Sequence, residues 1–139
     1  MAAINTYLNF NGNTEEAFNF YKSVFGGEFK TLQRYKDTPD AEKMPASAQE
    51  KIMHVALPIG DNMLMGTDTG DGMPQVTFGT NSSIAIEASS EDEANNLFKG
   101  LSDGGNVTMP LQKTFWGAYF GMVTDKFGIQ WMVNYTYPQ

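Results

Sequence analysis

The feature that most constrains this sequence is a pattern that occurs twice. Each occurrence runs from a short extended segment into an amphipathic helix closed by a double glycine, then into three strand candidates. In the first, Ile4–Phe10 precedes a helix in which Asn13 or Thr14 can cap. Glu15 and Glu16 place negative charge at the positive end of its dipole. Ala17, Phe20, Tyr21, Val24 and Phe25 recur at helical spacing, and Gly26-Gly27 can take the left-handed backbone that ends a helix. In the second, Ser83–Ala88 leads to Ser90 and Glu93, spaced as a capping box. Ala94, Leu97, Phe98 and Leu101 form the apolar stripe, and Gly104-Gly105 is the stop. The strand candidates are Glu28–Tyr35, Lys51–Ile59 and Asn62–Thr67, then Asn106–Gln112, Ala118–Thr124 and Ile129–Tyr137. Tight turns at Gly60-Asp61 and Asp125-Lys126-Phe127-Gly128 join the last two strands of each set. The pattern predicts an α+β chain of two βαβββ modules, about 1–68 and 82–139, within a single domain spanning 1–139.

A helix can cover one face of each small sheet and leaves the other face in need of a partner. Two modules would therefore set their sheets in a curve around a shared cleft. Strand alternation assigns the faces: in the last strand Ile129, Trp131, Val133 and Tyr135 are expected under the helix, with Gln130, Met132 and Asn134 towards the cleft. Two segments read as neither helix nor strand. Lys36–Glu50 is polar with two prolines and reads as a mobile loop, and Gly66–Asn81 is a glycine-bearing connection between the modules.

Composition removes several classes of function. The 139 residues include 41% hydrophobic and 13% aromatic side chains, enough for one core. A net charge of −7 repels nucleic acid and anionic membrane surfaces. No cysteine is present, which removes disulfides, thiolate nucleophiles and thiolate metal sites. His54 is the one histidine, so no two-histidine metal motif can occur. The amino-terminal segment has no basic and apolar leader pattern, and no stretch approaches the roughly 20 apolar residues of a membrane span. A cytoplasmic location is the expectation. There is no phosphate-binding glycine loop and no nucleophile elbow.

The segments Tyr7–Phe29 (YLNFNGNTEEAFNFYKSVFGGEF), His54–Asp68 (HVALPIGDNMLMGTD) and Thr114–Tyr135 (TFWGAYFGMVTDKFGIQWMVNY) together resemble the PhnB-like family. That family also carries the label 3-demethylubiquinone 3-methyltransferase-like. It is placed in the glyoxalase/bleomycin-resistance, or vicinal oxygen chelate, superfamily. The resemblance implies paired βαβββ modules, a homodimer and a U-shaped cleft. It also implies four strand positions that carry metal ligands in metal-dependent relatives. These fall at Thr6, Met65 (or Met63 by register), Ser83 and Met132. None is an imidazole or carboxylate, so a hard or borderline divalent cation has no suitable donors there. A methionine pair would suit copper(I), but adaptable apolar lining is the plainer reading of the sulfurs. The methyltransferase label would require a cofactor-binding Rossmann unit, for which there is neither glycine loop nor length.

Histidine is the side-chain type that titrates nearest neutral pH, so His54 is the candidate general base or ligand-orienting donor. The plainer alternative is a histidine satisfied by a neighbour or exposed at a rim. Phe115, Trp116 and Tyr119 beside Lys113 suggest a stacking wall with one cation for a planar or anionic ligand, or else dimer packing. Tyr7 adds a phenol to the expected cleft. The leading expectation is a homodimer that binds a small organic molecule in a cleft without metal or cofactor. The alternatives are an acid–base enzyme of the same superfamily working through His54, with a divalent metal bound elsewhere, and a dimeric interaction protein without a ligand.

Overall fold

The structure is a computed structural model in which residues 2–70 and 73–139 are described. Met1 lies outside the described residues, as do Asp71 and Gly72 of the glycine-bearing connection. The chain divides into two compact units, one ending at Thr77 and the other running from Phe78 to Gln139.

The first unit holds strands β1 (Thr6–Phe10), β2 (Thr31–Arg34), β3 (Ile52–Ile59) and β4 (Asn62–Asp68), with helix α1 (Thr14–Phe25) between β1 and β2. The second holds β5 (Ile84–Glu87), helix α3 (Glu91–Ser102), β6 (Asn106–Lys113), β7 (Ala118–Thr124) and β8 (Gln130–Thr136). The sheet orders are β1-β4-β3-β2 and β5-β8-β7-β6. In each, the first strand pairs parallel with the last and the remaining pairs are antiparallel. Two units with the same connectivity and the same single parallel pair are the duplicated βαβββ architecture that the sequence pattern implies.

The segment expected to be an open loop is more ordered than its composition suggests. It holds two single 3₁₀ turns, Tyr35–Asp37 and Ala41–Lys43, and a one-turn helix α2 (Ala46–Gln49). Local hydrogen bonds hold these turns, among them the Thr38 hydroxyl on the Tyr35 carbonyl and the Gln49 amide on the Met44 carbonyl. Ala48 is buried, which anchors the segment despite its polar residues.

Helix α1 is not capped as expected. Neither the Asn13 nor the Thr14 side chain caps it from within the helix. Asp68, at the end of β4 and 2% exposed, takes that role. Its Oδ1 accepts from the Thr14 N–H at 3.0 Å, the Thr14 hydroxyl at 2.6 Å and the Gly12 N–H at 3.1 Å. Its Oδ2 accepts from the Ile52 N–H at 2.8 Å. One carboxylate thus joins the end of β1, the start of α1 and the start of β3. The α1 face turned inward is Ala17, Phe18 and Tyr21, with Phe20 only half-buried. The Phe18 ring lies over Gly66, where a Cβ would stand 2.5 Å from its Cε1. Helix α3 behaves as the sequence suggests: the Ser90 hydroxyl accepts from the Glu93 N–H, while the Glu93 carboxylate reaches the Ser89 N–H. In the β7–β8 turn, Asp125 Oδ1 accepts from the Phe127 and Ile129 N–H groups, Oδ2 accepts from the Trp131 indole, and Gly128 takes a φ of 94°.

Removing the Asp68 carboxylate leaves buried N–H groups without acceptors. The Asp68→Ala variant is expected to lose about 2–4 kcal/mol in urea-unfolding free energy. Gly66→Ala is expected to cost about 1–3 kcal/mol in the same measurement, because the added methyl overlaps the Phe18 ring. The Arg34 guanidinium grips Glu15 at 3.0 and 2.6 Å and holds its carboxyl below the usual carboxylate range. A depressed carboxyl stabilises the fold above its ordinary titration range and loses that contribution as pH falls through the folded-state value. Thermal unfolding of Glu15→Gln is therefore expected to depend less steeply on pH in the acid range than that of the parent protein.

Candidate functional site

In each unit the helix identifies the covered face of the sheet, and register assigns every other residue. Gly66 lies under Phe18 of α1, so Leu64, Gly66 and Asp68 face the helix and Met63, Met65 and Thr67 face away. Cross-strand partners share a face. Tyr7 pairs with Met65, which pairs with Ala56, which pairs with Thr31. His54 pairs with Gln33 on the same face. The helix-free face of the first sheet therefore carries Tyr7, Met63, Met65, His54 and Thr67.

The aromatic and imidazole groups meet there. Tyr7 Oη and His54 Nδ1 are hydrogen-bonded at 3.2 Å, and their rings stack with centroids 5.7 Å apart at 29°. Burial pushes the Tyr7 phenol above its ordinary titration range, with the Thr67 hydroxyl opposing the shift. The Thr67 hydroxyl also donates to the Met53 carbonyl at 2.6 Å. Thr6 does not join this group. It pairs with Leu64 and has the opposite parity to Tyr7, so the two cannot line the same face.

In the second unit Gly121 lies under Phe98 of α3, where a Cβ would stand 2.8 Å from its Cε1. Its partner Val133 shares that covered face, as do Trp131 and Tyr135 by alternation. The uncovered face carries two rows that run across all four strands. One is Ala85, Met132, Met122 and Met109, and the other is Glu87, Asn134, Phe120 and Gln112. Ser83 stands just before β5 with the parity of Ala85. Glu87 and the Met109–Met122–Met132 row went unread in the sequence. A single carboxylate on a short strand has no motif, and the methionines come together only through register.

The cluster expected around Lys113 is divided by the sheet. Lys113 pairs with Tyr119, whose hydroxyl reaches Asn95 of α3 at 2.7 Å, so both belong to the helix side. Lys113 Nζ lies 5.7 Å from the Tyr137 ring. Trp116 meets Phe120 edge-on at 6.2 Å and so borders the helix-free face. Phe115, 98% exposed, packs only its edge on Trp116 at 5.0 Å. The hairpin turn at Thr114–Gly117 separates residues that are neighbours in the sequence.

The four positions implied as metal ligands do not fit a metal of the expected kind. Thr6 lies on the covered side, and Met65, Ser83 and Met132 offer thioether and hydroxyl groups. Among the described residues no group of three or more His, Cys, Asp or Glu side chains could hold an ion. Also among the described residues, no helix is long and apolar enough to cross a membrane.

Comparison with known proteins agrees with this architecture. Protein PA1353 from Pseudomonas aeruginosa is 41% identical, superposes with a TM-score of 0.86, and the match covers 98% of both chains. A PhnB protein from Bacillus cereus is 26% identical with a TM-score of 0.75 over 97% of this chain and 100% of that one. A glyoxalase/bleomycin resistance protein from Albidiferax ferrireducens shares the fold at a TM-score of 0.65, with 14% identity over 97% of this chain and 100% of that one. The family described as 3-demethylubiquinone-9 3-methyltransferase matches residues 2–134. Two mixed four-stranded sheets of this order are not the doubly wound parallel sheet of a Rossmann methyltransferase. On these grounds the chain belongs to that PhnB-like family and has the glyoxalase/bleomycin-resistance fold.

Proposed function

We propose that this protein binds a small organic molecule on the helix-free faces of its sheets, without a metal ion. One observation carries the reading: each sheet buries one face under a helix and lines the other with methionine, aromatic rings and isolated polar groups. Such a surface suits a ligand with an apolar body and few hydrogen-bonding atoms. Unbranched, polarisable methionine side chains adapt to its shape. Tyr7 and His54 supply directional contacts in the first unit, with Met63 and Met65 beside them. Met132, Met122 and Phe120 supply the corresponding apolar ground in the second, with Ser83 and Trp116 at its margins. Thr6, Lys113 and Tyr119 stand on or beside the covered faces and shape the site only indirectly. The fold family is often dimeric, which supports a homodimer, with the exposed Phe115 and Trp116 as aromatic groups available to its interface.

A second reading rests on the Tyr7–His54 hydrogen bond. If the phenol donates to Nδ1, the imidazole carries its proton on Nε2 and is oriented as a general acid or base towards a bound substrate. The protein is then an acid–base enzyme of the superfamily rather than a binding protein.

Three measurements test these statements. Metal analysis of protein purified without chelator is expected to find less than stoichiometric zinc, nickel or manganese, and one bound equivalent per chain overturns the metal-free reading. Native mass spectrometry of freshly purified protein is expected to show a dimer with a co-purified organic mass. A chain that stays monomeric and empty removes both statements. His54→Ala and Tyr7→Phe are expected to weaken retention of that molecule by about 3- to 30-fold, the range for losing one or two directional hydrogen bonds. Unchanged retention with loss of turnover would favour the enzyme.

A further inference from the structure

The two rows on the helix-free face of the second sheet differ in a way that specifies a ligand. The Ala85, Met132, Met122 and Met109 row has no charged member and no hydrogen-bonding side chain. The neighbouring row begins with a carboxylate, Glu87, and continues through Asn134 to Phe120, whose ring meets Trp116. Asn134 Nδ2 donates to Glu87 Oε2 at 2.6 Å, and the Thr136 N–H donates to Oε1 at 3.1 Å. These donors fix the carboxylate in place on the sheet and hold its carboxyl below the usual carboxylate range. Among the described residues no Lys, Arg or His forms an ion pair with it. An oriented carboxylate without a counter-ion, at the rim of an apolar and aromatic surface, is a receptor for a cation with an apolar body. The chain's charge of −7 draws ligands of the opposite sign, as such a cation is.

We infer that the helix-free face of the second sheet takes a small organic cation, its protonated amine on Glu87 and its planar apolar part on Phe120, Met122 and Met132. This rests on the binding function proposed above and names the ligand class for that half of it. Glu87 and Phe120 stand two strands apart, about 10 Å at the Cα positions. The amine and the ring system of the ligand are therefore linked by a short chain rather than fused. A carboxylate-bearing ligand is disfavoured by repulsion from Glu87.

Tryptamine is a suitable probe, because it is a protonated amine two carbons from an indole. Tryptophol is its neutral counterpart and indole-3-propionate its anionic one. Binding is followed by the methyl signals of Met122 and Met132 in the full-length protein. Tryptamine is expected to shift both signals and to bind about tenfold more tightly than tryptophol, the worth of one charge-assisted hydrogen bond. Indole-3-propionate is expected to bind more weakly than either. Glu87→Gln is expected to bring tryptamine to the affinity of tryptophol and to leave tryptophol unchanged. Equal binding of tryptamine and tryptophol by the parent protein, a comparison that needs no substitution, overturns the cation assignment and leaves the binding face. Undiminished tryptamine binding by Glu87→Gln does the same. Methyl signals unmoved by all three probes overturn the cation assignment and the use of this face together.

Discussion

The Asp68 carboxylate is the point through which the first unit is tied together. It ends β4, yet its oxygens take hydrogen bonds from Gly12, Thr14 and Ile52. These residues begin or end three other elements. The first turn of α1 therefore depends on a strand more than forty residues downstream for its cap. A buried carboxylate is costly unless donors surround it, and here the donors are the N–H groups that a helix start leaves without partners. The position of α1 over Leu64 and Gly66 follows, and with it the choice of which face of the sheet is covered. The second unit solves the same problem locally, through Ser90 and Glu93. Two copies of one topology thus anchor their helices by different chemistry.

The architecture was largely legible in the sequence because its signals are local. Helix caps, double glycines and alternating strands each lie within a few residues, and the eight strands and two long helices of the described residues fall where those signals put them. What escaped was set by distance. The cap of α1 comes from Asp68, which no spacing rule connects to Thr14. Phe18 is buried because Gly66 makes room for its ring, a fit between two residues far apart in the chain. The candidate site fared less well for a related reason. Strand parity separates Thr6 from Tyr7 as soon as one partner residue is known, and turns such as Thr114–Gly117 reset parity where the sequence offers no mark of it. Lys113 and Tyr119 were grouped with Trp116 by proximity in sequence, whereas the sheet sends them to the other side.

The two helix-free faces are alike in composition and unlike in chemistry. In the first unit the polar groups are Tyr7 and His54, which satisfy each other across the strand between them. In the second the charged group is Glu87, satisfied in part by Asn134 and the Thr136 backbone. Methionine is common to both. A duplicated fold gives each half the same frame, and differences at a few outward positions are enough to give the two faces different surface chemistry.

The parallel pairing of β1 with β4 bears on how the chain matures during synthesis. Thr6 can find Leu64 only after α1, β2, α2 and β3 have emerged, so this strand waits longest for its neighbour. Through that interval it presents an unpaired edge to other chains. Asn5, just before β1, accepts from the Met63 N–H once the strand is docked. The Asn5 side chain thus closes on β4 only when the last strand of the unit arrives, and the completed pairing removes that open edge.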